Sequence, residues 1–374
     1  MTVIDTVLLK VASRCNLNCT YCYVFNMGDR GWERQPKRLS ATVMQRIVSQ
    51  LADLYQQQDQ PFSIVLHGGE PLLLGFERLE ALFSQLHSAI PACSIHLQTN
   101  GTLLDISMLD LCARFGVGIS VSLDGPETIT DRFRVDHKGN GSFKRVMRAV
   151  ETLRKHPSAE RLFSGLLAVV DPATDAKEVY DFFKRIGTPS VDFLYRDGNH
   201  DQVPYGKLSF QSTEFGRWMC DLVDHYLADP NPPKIRVIDD MIKLLIGGSA
   251  RKEGVGVSDY GIVVIDTDGT ISKNDTLKST NDAGDVFPQG WSIMRDRLVD
   301  VLSTQEFLEY HMSQRPLSEI CNGCEDLAVC GGGMLTHRFS NNRGFDNPSV
   351  FCLDQKMVIA RLREWIISYN ERAA

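Results

Sequence analysis

The chain of 374 residues has no run near the roughly 20 consecutive apolar residues that span a bilayer. Residues 1–9 lack the basic start and apolar core of a signal peptide. A transmembrane class is therefore excluded, and a cytoplasmic location is the expectation. Low-complexity tracts and internal repeats are also missing, and 43% hydrophobic with 23% charged residues is the balance of an ordinary globular protein rather than a disordered one. Positive charge is scarce: the formal net charge is -7, which disfavours a partner made of nucleic-acid phosphates. The length suits two domains, or one with a smaller appendage.

Cysteine, in contrast, is plentiful. Ten in a long chain of intracellular character favour metal or redox use over a disulfide framework. Cys93, Cys112 and Cys220 stand alone and read as small core residues, because free cysteine is among the most buried types. The others cluster: Cys15, Cys19 and Cys22 in Cys-Asn-Leu-Asn-Cys-Thr-Tyr-Cys, and Cys321, Cys324, Cys330 and Cys352 near the C-terminus. Such spacing holds zinc as well as iron and sulfide and does not by itself name the metal. A structural zinc site is usually closed by four protein ligands, whereas three thiolates on a four-iron cluster leave one iron open for a substrate or cofactor.

Hydrophobic periodicity predicts alternating strands and helices. Strands are expected at 3–11, 62–67, 94–98, 118–123, 162–170 and 190–195, and helices at 41–57, 75–88, 104–115, 142–156 and 176–186. This is an α/β pattern with a parallel sheet or partial barrel. The cysteine trio, Gly68-Gly69-Glu70, Gln98-Thr99-Asn100 and Ser122-Leu123-Asp124 each follow a strand, which puts them on one face. Prolines 204, 230, 232 and 233 interrupt two helical stretches near 212–227 and 238–246, the hairpin that starts at Gly261 turns at Asp268-Gly269, and 357–370 reads as a final helix. The expected division is a barrel at 1–196, a helical bridge at 197–257 and a cysteine-rich domain at 258–374.

The Cys-x3-Cys-x2-Cys trio after the first strand, with Tyr21 before the third cysteine and Gly68-Gly69-Glu70-Pro71 after the second strand, resembles the radical S-adenosylmethionine (SAM) enzymes. The resemblance implies a partial (β/α)6 TIM-like barrel, a 4Fe-4S cluster on Cys15, Cys19 and Cys22, and SAM cleaved to a 5'-deoxyadenosyl radical. In such a site Tyr21 packs at the adenine, and the backbone of Gly68, Gly69 and Glu70 holds the methionine amino group. Gln98, Asn100, Ser122, Asp124 and Arg134 look like the branch with anaerobic sulfatase maturases and peptide-modifying enzymes; Ser122 and Arg134 would bind SAM polar groups, Arg134 as a fork on the carboxylate.

The run Cys321-Asn-Gly-Cys324-x5-Cys330-Gly-Gly-Gly, with Cys352, resembles the SPASM domain, which carries auxiliary 4Fe-4S clusters. One cluster is implied, on Cys321, Cys324, Cys330 and Cys352. Ligands for a second are lacking, since Met334 and Asn274 stand where that pattern has cysteines; a zinc site on the same four cysteines is the alternative. His337 and Arg338 read as structural. Asp275 aligns with the acidic residue that sulfatase maturases use as a base.

Within that group, Ile-Asp-Thr-Asp-Gly followed by Asn-Asp-Thr-Leu-Lys, and the end His-Arg-Phe-Ser with Gly-Phe-Asp-Asn-Pro-Ser-Val-Phe-Cys, resemble the cyclophane-forming maturases of ribosomal peptides, the FxsB, GrrM and XyeB-like group. The implied substrate is a precursor peptide, cross-linked from a side-chain β-carbon to an aromatic ring, with Asp275 as base and a flavodoxin or ferredoxin as electron donor. Formylglycine formation in a sulfatase and thioether formation remain as alternatives, and a zinc-stabilised binding scaffold is the reading without turnover. No leader-binding domain fits before Cys15, so leader recognition is expected in the bridge, the C-terminal lobe or a separate protein.

Overall fold

The computed structural model describes residues 2–250, 252–257, 261–281 and 284–373; the expected domain boundary at 258 lies outside the described residues. The chain divides into two compact units. One comprises Met1–Leu123, Thr130–Gly165 and Tyr260–Met312, the other Asp124–Ile129, Leu166–Asp259 and Ser313–Ala374.

The first unit is built on a sheet of β1 (Thr6–Ala12), β2 (Ser63–Gly68), β3 (Ser94–Thr99) and β4 (Gly118–Ser122), which pair in parallel in that order. Val7, Leu9 and Val11 of β1 and Ile64 and Leu66 of β2 are buried, while Leu8 and Val65 between them are half-buried. The helix Ala41–Gln58 starts where the Ser40 hydroxyl accepts from the Val43 amide, and it turns Met44, Ile47, Leu51 and Leu54 inward at helical spacing. A helix expected from 104 begins instead at Ile106. Asp105 is its cap, accepting from the Met108 amide at 2.9 Å.

Further along the chain come β5 (Phe163–Val169), β6 (Ser190–Leu194), β7 (Lys234–Ile235), β8 (Ile262–Ile265) and β9 (Ile271–Ser272). The last two form the expected hairpin around Asp268-Gly269, where Gly269 takes φ +87°. Strand β8 also adds in parallel to the free edge of β1, Thr6 opposite Ile262 through Leu9 opposite Ile265. That pairing starts at Thr6, and the Asp5 and Thr6 amides both donate to the Gly261 carbonyl, so β1 begins later than residue 3.

Parallel strands bring their C-terminal ends to one edge, the usual place for an α/β active site. Here those ends lead into the cysteine loop, Gly69-Glu70, Asn100 and Leu123. The register of β1 on β2 slips between Lys10 and Ala12. A Cβ on Gly68, which sits at φ +141°, would lie 2.0 Å from the Ala12 carbonyl oxygen, and one on Gly69 would lie 2.3 Å from the Arg14 backbone. Only glycine permits this approach.

In the second unit β5 from Leu166, β6 and β7 pair in parallel. The helices Glu214–Ala228 and Cys352–Ala373 cross where Gly216 meets Asp354. Asp354 accepts from the Gly216 amide at 2.7 Å and from Lys207 at 2.6 Å, and both charged side chains are fully buried. Removing one partner of a buried pair strands the other charge. Lys207→Met is therefore expected to lower stability by about 3–5 kcal/mol, read as the shift in a urea unfolding midpoint; a shift within error would show that Asp354 finds another partner.

No helix among the described residues is long and apolar enough to cross a membrane.

Candidate active site

Cys15, Cys19 and Cys22 lie on the loop leaving β1. The Cys22 amide donates to the Cys19 carbonyl, the Leu17 amide to the Cys15 sulfur at 3.4 Å, and Asn100 Nδ2 to the same sulfur at 3.6 Å. Residues 133–135 are laced to this loop by Thr20 and Asn18 amides donating to the Phe133 and Val135 carbonyls. Burial pushes the Cys15 thiol up to about 12, with Glu70 adding to it, and the Cys22 thiol up to about 11, with Cys19 adding to it. Such thiols stay protonated at neutral pH unless a metal takes the place of the proton. Three of them within reach of one another's charge suit an iron-sulfur cluster.

Of the other first-unit residues singled out from the sequence, Glu70, Asn100 and Arg134 meet this loop, while Gln98 and Ser122 pair with each other. Glu70 is fully buried and its carboxylate is fully used: Oε1 accepts from the Leu72 amide and the Thr99 hydroxyl, and Oε2 from the Asn100 amide. It pins the exits of β2 and β3 together, and burial raises its pKa. Gln98 Nε2 donates to the Ser122 hydroxyl at 2.9 Å, and Arg134 donates to the Tyr21 hydroxyl at 2.9 Å. Asp124 does not join them within this unit; it lies in the second, where it accepts from the Val169 amide at 3.2 Å.

Asp275 is 3% exposed. It is ion-paired through Oδ1 with Lys10 and accepts from the Tyr23 hydroxyl through Oδ2 at 3.0 Å. Burial pushes its carboxyl up, but Lys10 foremost and then Lys278 attract the charge and hold it below the ordinary carboxylate range. Asp266 lies 3.9 Å from Lys10, and Lys278 bridges Asp285 at 2.7 Å and Asp29 at 3.1 Å. A cavity of about 180 Å³ opens beside this network, lined by Lys10, Gly68, Gly69, Trp32, Asp266 and Lys278. Asn274 is a cap: its side-chain Oδ1 accepts from the Thr276 amide and hydroxyl.

The C-terminal cysteines form a second group. The Cys324 amide donates to the Cys321 carbonyl, Cys330 Sγ donates to Gln355 Oε1 at 3.1 Å, and the charges of all four would act on one another. Gly331, Gly332 and Gly333 all have φ between 66° and 81°, so the chain turns tightly after Cys330 as only glycine does readily. A Cβ on Gly331 would lie 2.1 Å from the Gly256 carbonyl. Burial pushes the Cys330 thiol up to about 12. Among the described residues no three His, Cys, Asp or Glu converge tightly enough to grip a single metal ion. The four thiols lie within range of one another's charge, and a buried arginine, Arg338, acts on Cys321 and Cys330; its Nε and Nη1 have no hydrogen-bond partner among the described residues. Thiol donors with idle N–H groups beside them suit a cluster bearing sulfide acceptors.

Sequence reasoning missed Lys10, His67 and Lys278. The one signal was a lysine within the otherwise apolar Thr-Val-Leu-Leu-Lys-Val-Ala of β1. His337 is buried and His67 half-buried with its Nδ1 shielded from solvent, and desolvation lowers both pKa values, His337 to about 3 with Arg338 contributing. A folded pKa below the ordinary 6.5 means the unfolded chain takes up protons first. The stability each neutral ring contributes is full above about pH 6.5 and is lost as pH falls toward the folded value. The urea midpoint of the reconstituted protein is therefore expected to drop between about pH 7 and pH 5, with a shallower drop in His337→Phe; equal slopes in both proteins would contradict the assignment.

Residues 9–186 match the Radical SAM superfamily, and this stretch is a radical SAM domain. The chain is an enzyme related to the anaerobic sulfatase-maturating enzymes. It is similar to the cysteine-type anaerobic sulfatase-maturating enzyme of Clostridium perfringens (strain 13 / Type A), 25% identical over 361 residues that cover 94% of each chain. Its fold is similar to native anSMEcpe with bound AdoMet, at TM-score 0.83 and 22% identity, covering 98% of this chain and 99% of that one. It is likewise similar to native anSMEcpe with bound AdoMet and Cp18Cys peptide, at TM-score 0.81 and 21% identity, covering 99% and 100%.

Proposed function

We propose that the enzyme cross-links a ribosomally made precursor peptide, joining a side-chain β-carbon to an aromatic ring. When bound, SAM on the Cys15, Cys19 and Cys22 cluster supplies a 5'-deoxyadenosyl radical for hydrogen abstraction, and a single auxiliary cluster on Cys321, Cys324, Cys330 and Cys352 supplies a one-electron acceptor. Tyr21, the Gly68 to Glu70 backbone, Gln98, Asn100, Ser122 and Arg134 would hold SAM. The substrate carbon radical adds to the ring. Loss of one electron leaves a strongly acidic ring cation, and loss of its proton restores aromaticity. Asp275 receives that proton. A carboxylate held ionised by Lys10 is a weak base, which suffices for so acidic a donor, and the Tyr23 hydrogen bond orients it.

The observation that carries this reading is the ligand set: four C-terminal cysteines, with Met334 and the capping Asn274 at the positions where a second auxiliary cluster would need thiolates. A second reading, oxidation of a sulfatase cysteine or serine to formylglycine, is favoured by the likeness to sulfatase-maturating relatives. An external flavodoxin or ferredoxin would deliver electrons.

The test is anaerobic incubation of the reconstituted enzyme with SAM, dithionite and either a neighbouring-gene precursor peptide or a sulfatase peptide. A precursor lighter by about two hydrogens, with fragmentation blocked within an aromatic-containing stretch, supports the cross-link. Conversion of the sulfatase peptide alone would replace it with formylglycine formation.

A further inference from the structure

The two cysteine groups have opposite electrostatic surroundings within their own units. Anions border the N-terminal trio: Glu70 acts on Cys15 and Asp275 on Cys22. Cations predominate around the C-terminal four, where the one carboxylate acting on Cys352, Asp326, is itself ion-paired with Arg363 at 2.8 Å. Arg338 is close enough to Cys321 and Cys330 for their charges to act on it, and Lys356 reaches Cys324, with Cys352 also in range.

Arg338 is 1% exposed and is the bulkiest of the fully buried side chains. Its Nη2 donates to the Gln314 carbonyl, but Nε and Nη1 are shielded from solvent and idle among the described residues. A guanidinium buried with two unused donors is costly and calls for an acceptor. Thiolate and sulfide sulfurs on the Cys321 and Cys330 side would provide one. Lys356, on the helix that begins at Cys352, holds the opposite flank at Cys324.

We infer that Arg338 donates hydrogen bonds to sulfur of the C-terminal cluster and, with Lys356, raises that cluster's reduction potential. The inference rests on the single auxiliary cluster proposed above. Adding an electron makes a cluster more negative, so hydrogen bonds to its sulfurs and nearby positive charge stabilise the reduced form, while neighbouring carboxylates oppose reduction. The charge pattern thus suits a strong reductant at the N-terminal site and an electron acceptor at the C-terminal one.

The test is potentiometric titration of the full-length reconstituted protein, followed by electron paramagnetic resonance, with the N-terminal signal identified by its response to SAM. In Arg338→Gln and Lys356→Gln the C-terminal midpoint is expected to move negative, with a reduced-to-oxidised ratio at fixed potential about tenfold lower, or about 59 mV for one electron. Arg338→Lys, which keeps the charge but loses the fork, should move it less. The N-terminal midpoint should stay in place. Unmoved C-terminal midpoints at full iron content overturn the inference; if Arg338→Gln loses its cluster, unmoved midpoints in Arg338→Lys and Lys356→Gln do the same. A wild-type protein holding only about four irons, all responsive to SAM, would instead remove the auxiliary cluster itself.

Discussion

Replacing Asp275 with asparagine is expected to lower the rate of peptide cross-linking by roughly 10²–10⁴-fold, the usual contribution of a positioned base. Deoxyadenosine should still form, because hydrogen abstraction precedes the step that needs the base. The variant thus uncouples SAM cleavage from product. Asparagine keeps the shape and can still accept from Tyr23, so the change isolates the charge. It also leaves the Lys10 ammonium buried beside a neutral amide, with Asp266 at 3.9 Å as its remaining carboxylate neighbour. For that reason Lys10→Met is a needed companion: without its cation, buried Asp275 loses the largest of the attractions that keep it ionised, and only the Lys278 attraction is left. The pH profile of cross-linking in Lys10→Met should shift its acid limb upward, since a carboxyl with a raised pKa must lose its proton before it can act. Wild-type turnover in Asp275→Asn would end its role as base. Loss of deoxyadenosine together with product would make it a residue of SAM binding instead.

The cysteine substitutions are expected to have effects that differ in kind between the two groups. Cys19→Ala should remove about four of roughly eight irons and abolish all SAM cleavage, because a trio has no spare ligand. Cys330→Ala should also cost about four irons yet leave deoxyadenosine formation measurable, while cross-linked peptide disappears for want of an electron acceptor. Iron and sulfide assays on the purified variants, with product analysis by mass spectrometry, separate the cases. Bound zinc in the wild-type protein with no deoxyadenosine would contradict both and favour a scaffold.

What could be read from the sequence followed the range of the interactions involved. The βα alternation and the cysteine spacings are local, and so were visible, and the strand exits carrying Gly68, Gln98 and Ser122 did fall on one edge of the sheet. Helix ends were less visible where a cap competes with periodicity, as at Asp105. The Lys10–Asp275 pair was hidden because its partners are 265 positions apart and meet only when β8 adds to β1, an edge pairing that a short apolar run does not announce. Arg338 stood out as part of a motif, but its idle donors are a property of burial and cannot be read from residue type. The Asn274 position illustrates the reverse: the missing thiol was legible, whereas the capping role that asparagine plays there was not.

Isotope placement tests the cross-link most directly. A precursor peptide deuterated at the β-carbons of the candidate residue and on the aromatic ring would be turned over anaerobically, and deoxyadenosine and peptide weighed separately. The account predicts one deuterium in deoxyadenosine, taken from a β-carbon, and one ring deuterium lost to solvent through the base. Deoxyadenosine labelled in this way, with every ring deuterium retained in the oxidised peptide, would show that no carbon-carbon bond forms to the ring and would contradict the cyclophane assignment.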